Sequence, residues 1–344
     1  MKKIKNLKKI CLGVTFVLGM ILSACGNKEA SNENKADSGS ETTMELKLGH
    51  NLAEDHAVHI ALTEFKKEVE EESKGSLKIN IFPNGTLGSE TDMINQIQSG
   101  ALDMAKVSAA TLGNFSDDYN VFSVPYIFRD KDHYYKVMDS DIVKNIFDST
   151  ESMGFKGLTW LDSGARSFYT ANKAIKKPED LKGLKIRTMD SKMAIAMMDA
   201  LGGSSTVMGY SDIYTALQSG VIDGAENNIT ALRDHGEVSK YYCFDEHTRI
   251  PDIVIVSSAV WNKMTDDQKE IFNKASENMK EKYKKSWDEF EKQVRSDVES
   301  KHSVEFITDV DKDAFVKAVQ PVYDNLEKES PEVFEKVQQI IDMK

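Results

Sequence analysis

Cysteine is nearly absent: three occur in 344 residues, two of them within the first 25. That leaves Cys243 alone in the body of the chain, so no intrachain disulfide framework is available there, and a lone thiol of this kind reads as a small buried hydrophobe. Positive charge is short as well, with 44 Lys and Arg against 56 Asp and Glu and a net charge of −12. A deficit of that size argues against nucleic acid or an acidic membrane surface as a partner. Beyond residue 22 no apolar run is long enough to span a bilayer. There is no Gly-x-Ser-x-Gly elbow and no glycine-rich phosphate loop. His56-Ala57-Val58-His59 lacks the glutamate of a zinc-protease helix.

What is present begins with an export signal over residues 1–24. Lys2, Lys3, Lys5, Lys8 and Lys9 precede a short apolar stretch from Ile10 to Leu22. Leu22-Ser23-Ala24-Cys25 then has the form of a lipobox, with Cys25 as the lipidation site. Residues 25–43, rich in Ser, Asn, Glu and Lys, read as a solvated tether. The expectation is an extracytoplasmic domain held to the cell membrane by a lipid anchor. Cleavage before Cys25 removes five lysines and no acids, taking the net charge from −12 to −17.

About 300 residues remain, enough for two lobes. An internal echo supports that count. Gln98 to Ala105 reads QSGALDMA, and Gln218 to Ala225 reads QSGVIDGA. Each should end a helix at a glycine and enter a short strand, with helix starts at Ser89 and Ser211. Strands are predicted at Glu45–Leu48, Leu77–Phe82, Phe155–Leu161, Leu184–Thr188 and Ile253–Ser257. They alternate with helices at Ala57–Ser73, Thr91–Ser99, Lys131–Phe147, Lys192–Leu201 and Ile213–Ser219, an α/β pattern. Thr265-Asp266-Asp267-Gln268 opens a helix that meets no Pro or Gly and runs to about Ser300, roughly 50 Å. Its stripe of Ile271, Met279, Tyr283, Trp287 and Phe290 suits a brace across both lobes.

The most informative stretch is Leu184 to Asn228. A β-type run ends on Arg187, helices start just beyond it, and a strand leads to Glu226-Asn227-Asn228. Arginine at a strand's carboxyl end, facing helix starts, is where an open α/β sheet holds a small anion. Leu181 to Arg187 (LKGLKIR) and Tyr214 to Asn227 (YTALQSGVIDGAEN) resemble the signature of the solute-binding receptors of TRAP transporters, the tripartite ATP-independent DctP type. The looser resemblance runs from about Leu46 to the last helix. It implies an α/β, two-lobed fold of the type II periplasmic-binding-protein kind, with a hinge and a long helix spanning both lobes. The lobes would be 44–163 with 253–292, and 164–252 with 293–344. Family members close on their ligand by a hinge motion.

Candidate ligand-binding residues follow. Arg187 can clamp a carboxylate with two parallel hydrogen bonds, which lysine cannot reproduce; the resemblance gives it that role. Arg166 matches a second pocket arginine, Asn227 the pocket asparagine, and Tyr210 an aromatic against the ligand's apolar face. His50, Asn51, Glu90 and Ser108 would form the opposite wall, where Asn51 and Glu90 match positions of sialic-acid receptors. Ser108 and Thr111 depart from those receptors, which carry a glutamate and an arginine there. Glu90 repels a second carboxylate and suits hydroxyls, to which it can only accept. Gly224 to Asn228 and Glu246 to Pro251 look like the hexuronate-binding subgroup. The expected ligand is therefore a six-carbon sugar acid, glucuronate or galacturonate first. A C4-dicarboxylate, sialic acid or another organic acid is the alternative.

Two readings from other classes stay open. One is a surface enzyme on uronate sugars, with Asp162 and Glu90 drawn as an acid pair. The other is a metal site at His50, His56 and His59, against which the plain reading is a helix start with exposed histidines. No cofactor and no metal are expected. The implied partners are the small-molecule carboxylate, the membrane subunits of a TRAP permease and the membrane itself, with monomer as the default state.

Overall fold

The computed structural model describes residues 43–344. The signal, Cys25 and the tether lie outside the described residues. Two sheets carry the fold. The first has the order β2-β1-β3-β10-β4, from β1 (Met44–Gly49), β2 (Leu77–Phe82), β3 (Met104–Ser108), β4 (Phe155–Leu161) and β10 (Asp252–Ser257). The second has the order β11-β9-β5-β8-β6-β7, from β5 (Arg166–Thr170), β6 (Lys185–Thr188), β7 (Ser204–Val207), β8 (Gly224–Asn227), β9 (Tyr241–Thr248) and β11 (Glu305–Ile307).

The sequence echo is a structural repeat. β1 lies parallel to both β2 and β3, and β6 lies parallel to both β7 and β8. In each unit a helix ends at a left-handed glycine, Gly100 with φ 78° or Gly220 with φ 71°, a conformation that favours glycine. The aspartate three residues later then pins the central strand. Asp103 Oδ2 accepts from Lys47 N, and Asp223 Oδ2 accepts from Lys185 N, both at 2.8 Å. The helix starts differ from expectation. Ser89 caps Glu90–Ser99 in a capping box with Asp92, whereas Ser211 lies inside a 3-10 turn and the α-helix begins at Ile213.

The chain passes between the sheets at residues 162–165 and 249–251, and these two crossings are tied together. Arg249 donates to both Asp162 oxygens, at 3.1 and 2.5 Å. Gly164 has φ +70°, and any side chain there would collide with Glu291. The helix Asp266–Lys301 lies behind both crossings. Its front half packs Phe272 on Phe65, and its back half buries Val294 and Val298 beside Ile213 and Leu217. It is thus shared by both lobes rather than projecting.

One predicted helix breaks in two. Lys131–Met138 and Asp141–Ser149 are separated at Asp139 and Ser140, where Ser140 is extended. Lys280 and Lys284 of the long helix hold the Asp139 carboxylate at 3.0 and 2.8 Å. The closing helix Pro331–Asp342 returns to residues 118–133, with Lys336 on Asp118 and the His133 ring on the Ile340 carbonyl.

Candidate functional site

A cavity of about 550 Å³ opens between the carboxyl ends of the two sheets. Arg187, near the end of β6, reaches it from a fully paired strand. Its Nε and Nη2 both donate to the Met208 carbonyl, at 3.0 and 2.9 Å. The side-on edge of the guanidinium is therefore occupied, and the end-on Nη1/Nη2 edge is left for a planar anion. No carboxylate of the described residues pairs with it. Burial lowers its pKa and Glu226 only partly offsets that, so a bound carboxylate is what would compensate its charge.

Arg166 also lines the cavity but is committed to the protein. It donates to Glu226 Oε2 at 2.7 Å, Asn227 Oδ1 at 2.6 Å and the Glu226 carbonyl at 2.7 Å. Asn227 Oδ1 also accepts from Asn228 N at 2.9 Å, so its amide N–H₂ is the group it can present to the cleft. Behind them lies a buried chain. His247 Nδ1 donates to Asp245 at 2.6 Å, and Nε2 sits 3.4 Å from Glu226. Burial would lower the imidazole's pKa, but Asp245 and Glu226 override it and raise it to about 9. Burial would likewise raise Glu226, but Arg166 and His247 hold it at about 2. His247 thus supports the site from behind and does not line it.

Tyr210 contributes its ring to the cavity while its hydroxyl donates to Asp234 at 2.8 Å. On the opposite wall Glu90, Asn51 and Ser108 are in place. Thr111 Oγ1 donates to Glu90 Oε2 at 2.9 Å. Ser108 Oγ caps the following short helix by accepting from Ala110 N, which ties up part of its capacity.

His50 is the candidate that fails. It is fully buried and does not line the cavity. Its Nδ1 accepts from Leu52 N at 3.2 Å, so the proton sits on Nε2 and points to His59 Nδ1 at 3.0 Å. Burial holds its pKa at about 3, and it acts as a neutral spacer behind Asn51. The exposed-histidine reading fails at His56 too. That residue is buried against Phe290, caps the helix Ala57–Glu72 and edges the cavity. No cluster of the described residues could hold a metal ion.

Sequence reasoning missed Lys106 and Asp252, which both line the cavity. A lysine inside the wholly buried strand Met-Ala-Lys-Val-Ser was a usable signal for the first. Asp190 lines the cleft mouth and reaches across it, accepting from Thr91 Oγ1 at 2.9 Å and, through its carbonyl, from Asn114 at 2.8 Å.

A two-lobed α/β fold with a clamp arginine at a strand end is shared by many receptors; the family match is specific. The model for DctP, the bacterial extracellular solute-binding proteins of family 7, matches residues 48–330. This chain belongs to that family. An uncharacterized protein YiiZ of Salmonella typhimurium is 40% identical over 303 residues, covering 87% of this chain and 91% of its own length. A TRAP periplasmic solute-binding protein of Anaerococcus prevotii, solved with bound α/β-D-glucuronate, is 38% identical with a TM-score of 0.83, over 87% of this chain and 98% of its own. One from Xanthobacter autotrophicus, solved with bound β-D-galacturonate, is 36% identical with a TM-score of 0.83, over 87% and 100%. The chain is thus a TRAP solute receptor, and its family is a binding rather than an enzyme class.

Proposed function

We propose that this receptor captures a hexuronate, glucuronate or galacturonate, in the cleft and delivers it to TRAP membrane subunits. The observation that carries the reading is the free end-on edge of buried Arg187, opposite a wall of hydroxyl acceptors. The carboxylate sits on Arg187 with the Asn227 amide beside it, Tyr210 covers the ring's apolar face, and Glu90 and Asn51 take hydroxyls. Arg166 works mainly by fixing Asn227. The two relatives solved with glucuronate and galacturonate support the substrate class.

Lipid attachment at Cys25, after cleavage of residues 1–24, belongs to the proposal and rests on the lipobox alone. The monomeric state belongs to the proposal too, as do lobe boundaries of 44–163 with 253–292 and 164–252 with 293–344, except that the closing helix Pro331–Asp342 packs on residues 118–133 of the first lobe. Calorimetric titration of the purified protein with glucuronate and galacturonate tests the reading. Stoichiometric binding is expected, with a loss of at least roughly thirtyfold in Arg187→Ala, the effect of truncating one partner of a buried charge pair. Binding of neither acid, or turnover of a uronate substrate, would sink it.

A further inference from the structure

The wall facing Arg187 carries a second carboxylate. Asp252, the first residue of β10, lines the cavity with Glu90, and both side chains are mostly buried. Lys106 stands between them on β3. Its Nζ lies 3.2 Å from Asp252 Oδ1, 3.5 Å from Glu90 Oε1 and 3.1 Å from Asn51 Oδ1. Two of the three ammonium N–H groups are thus hydrogen-bonded, to Asp252 and Asn51, and Glu90 stands at ion-pair distance. Burial works against the Lys106 charge, but Asp252 and Glu90 keep its pKa above the usual value, so it stays a cation paired with both carboxylates.

The consequence is a polarised cleft. Glu90, Lys106 and Asp252 together carry one net negative charge, while the opposite wall presents the unpaired Arg187. Two carboxylates can only accept hydrogen bonds, and no hydrogen bond of the described residues reaches Asp252 Oδ2. Asn51 Oδ1 is spent on Lys106, leaving its amide N–H₂ to donate. The far wall therefore matches adjacent hydroxyls. A second ligand carboxylate would meet two like charges, and the Lys106 charge between them is already more than offset by that pair.

Resting on the sugar-acid reading above, we infer that Glu90 and Asp252, positioned by Lys106, are the specificity-determining pair. They make the receptor select hydroxylated monoacids and reject the corresponding diacids. The exclusion comes from repulsion built into the wall rather than from a missing contact.

Titration of the purified protein with glucuronate and with glucarate, the six-carbon diacid, tests this in the wild type, Glu90→Gln and Asp252→Asn. Both substitutions preserve volume and need no refolding of the wall. The wild type should bind glucuronate at least roughly a hundredfold more tightly than glucarate, since like-charge juxtaposition costs several kcal/mol. Asp252→Asn should weaken glucuronate while binding glucarate at least roughly tenfold more tightly than the wild type does. A wild-type ratio under roughly tenfold would overturn the inference. So would a failure of glucarate to gain affinity in Asp252→Asn, because a merely structural role weakens both acids alike. Absence of binding by glucuronate would instead remove the sugar-acid reading and this inference with it.

Discussion

The two central β–α–β–α–β units are built alike and charged oppositely. Because Asp103 pins Lys47 as Asp223 pins Lys185, positions correspond one by one along the strands. Gly49 falls where Arg187 stands, Lys106 where Glu226 stands, and Ser108 where Asn228 stands, the last pair both capping the next turn. At the first position one unit has no side chain, and a Cβ on Gly49 would crowd the flexible Met93, 2.7 Å from its Sδ. The other unit places a guanidinium there. One scaffold thus gives a wall of acceptors and a wall of donors, and the ligand's polarity follows from which wall it meets.

The largest effect that could break this comparison is at the buried charges. Glu226→Gln leaves Arg166 and His247 with Asp245 as the remaining anion, and should cost about 3–5 kcal/mol in denaturant unfolding. Its counterpart Lys106→Met releases two carboxylates that edge the cavity and keep some access to water, for about 1–3 kcal/mol. Equal costs would mean that the second wall is no more dependent on its ion pairs than the first. The next contrast is at the strand ends. Arg187→Ala should lower affinity by at least roughly thirtyfold with little change in unfolding free energy, because its protein partner is one carbonyl. Gly49→Ala should do the reverse, costing about 1 kcal/mol of stability through crowding of a flexible methionine while leaving affinity nearly intact.

The buried histidines respond to protonation in opposite directions. His50 and His56 are buried neutral, chiefly by desolvation, with pKa values of about 3 against 6.5 when unfolded. The unfolded chain binds those protons first, so their contribution is intact above 6.5 and declines as pH falls from there toward 3. His247 runs the other way. With a folded pKa of about 9, its contribution is full below 6.5 and is lost as pH rises through 9. Melting curves between pH 5 and 9.5 should therefore show the acid limb flattened in His56→Asn and the alkaline limb flattened in His247→Gln. Each change should be on the order of 1–3 kcal/mol. Both substitutions flattening the same limb would contradict the assignment.

How far the sequence could lead follows from the same geometry. The cleft positions of Arg187 and Asn227 and the glycine-stopped helices were legible because strand ends and caps are local features, written within a few residues. Lys106 with Asp252 was not, since the pair is 146 residues apart and meets only when β10 slots antiparallel between β3 and β4. His50 was misassigned because following a strand says nothing of which way a ring turns. Here it turns inward to His59, and His56 takes the cleft edge instead. The break at Asp139 had a local signal, Ser140 as N-cap with Asp141 in the first turn, but the lysines that hold Asp139 lie more than 140 residues away.

The smallest predicted effect concerns the contacts that join the two walls. Asp190 belongs to the donor wall but holds Thr91 and Asn114 of the acceptor wall. On the far side Arg233 holds Asp55 at 2.5 Å. If Asp190 acts mainly as a charge, it repels a carboxylate arriving at Arg187, and Asp190→Ala should raise affinity. If it acts mainly as a bridge, removing it favours separated walls, and a ligand that needs both walls binds more weakly. The bridge should win. Its Oδ2 is directly engaged by Thr91, and an exposed carboxylate's repulsion is weakened by water and salt. Asp190→Ala should therefore lower glucuronate affinity about two- to fivefold, equivalent to at most about 1 kcal/mol, with most of the change in the dissociation rate. Tighter binding in the variant, growing as salt is lowered, would show that the field and not the bridge decides.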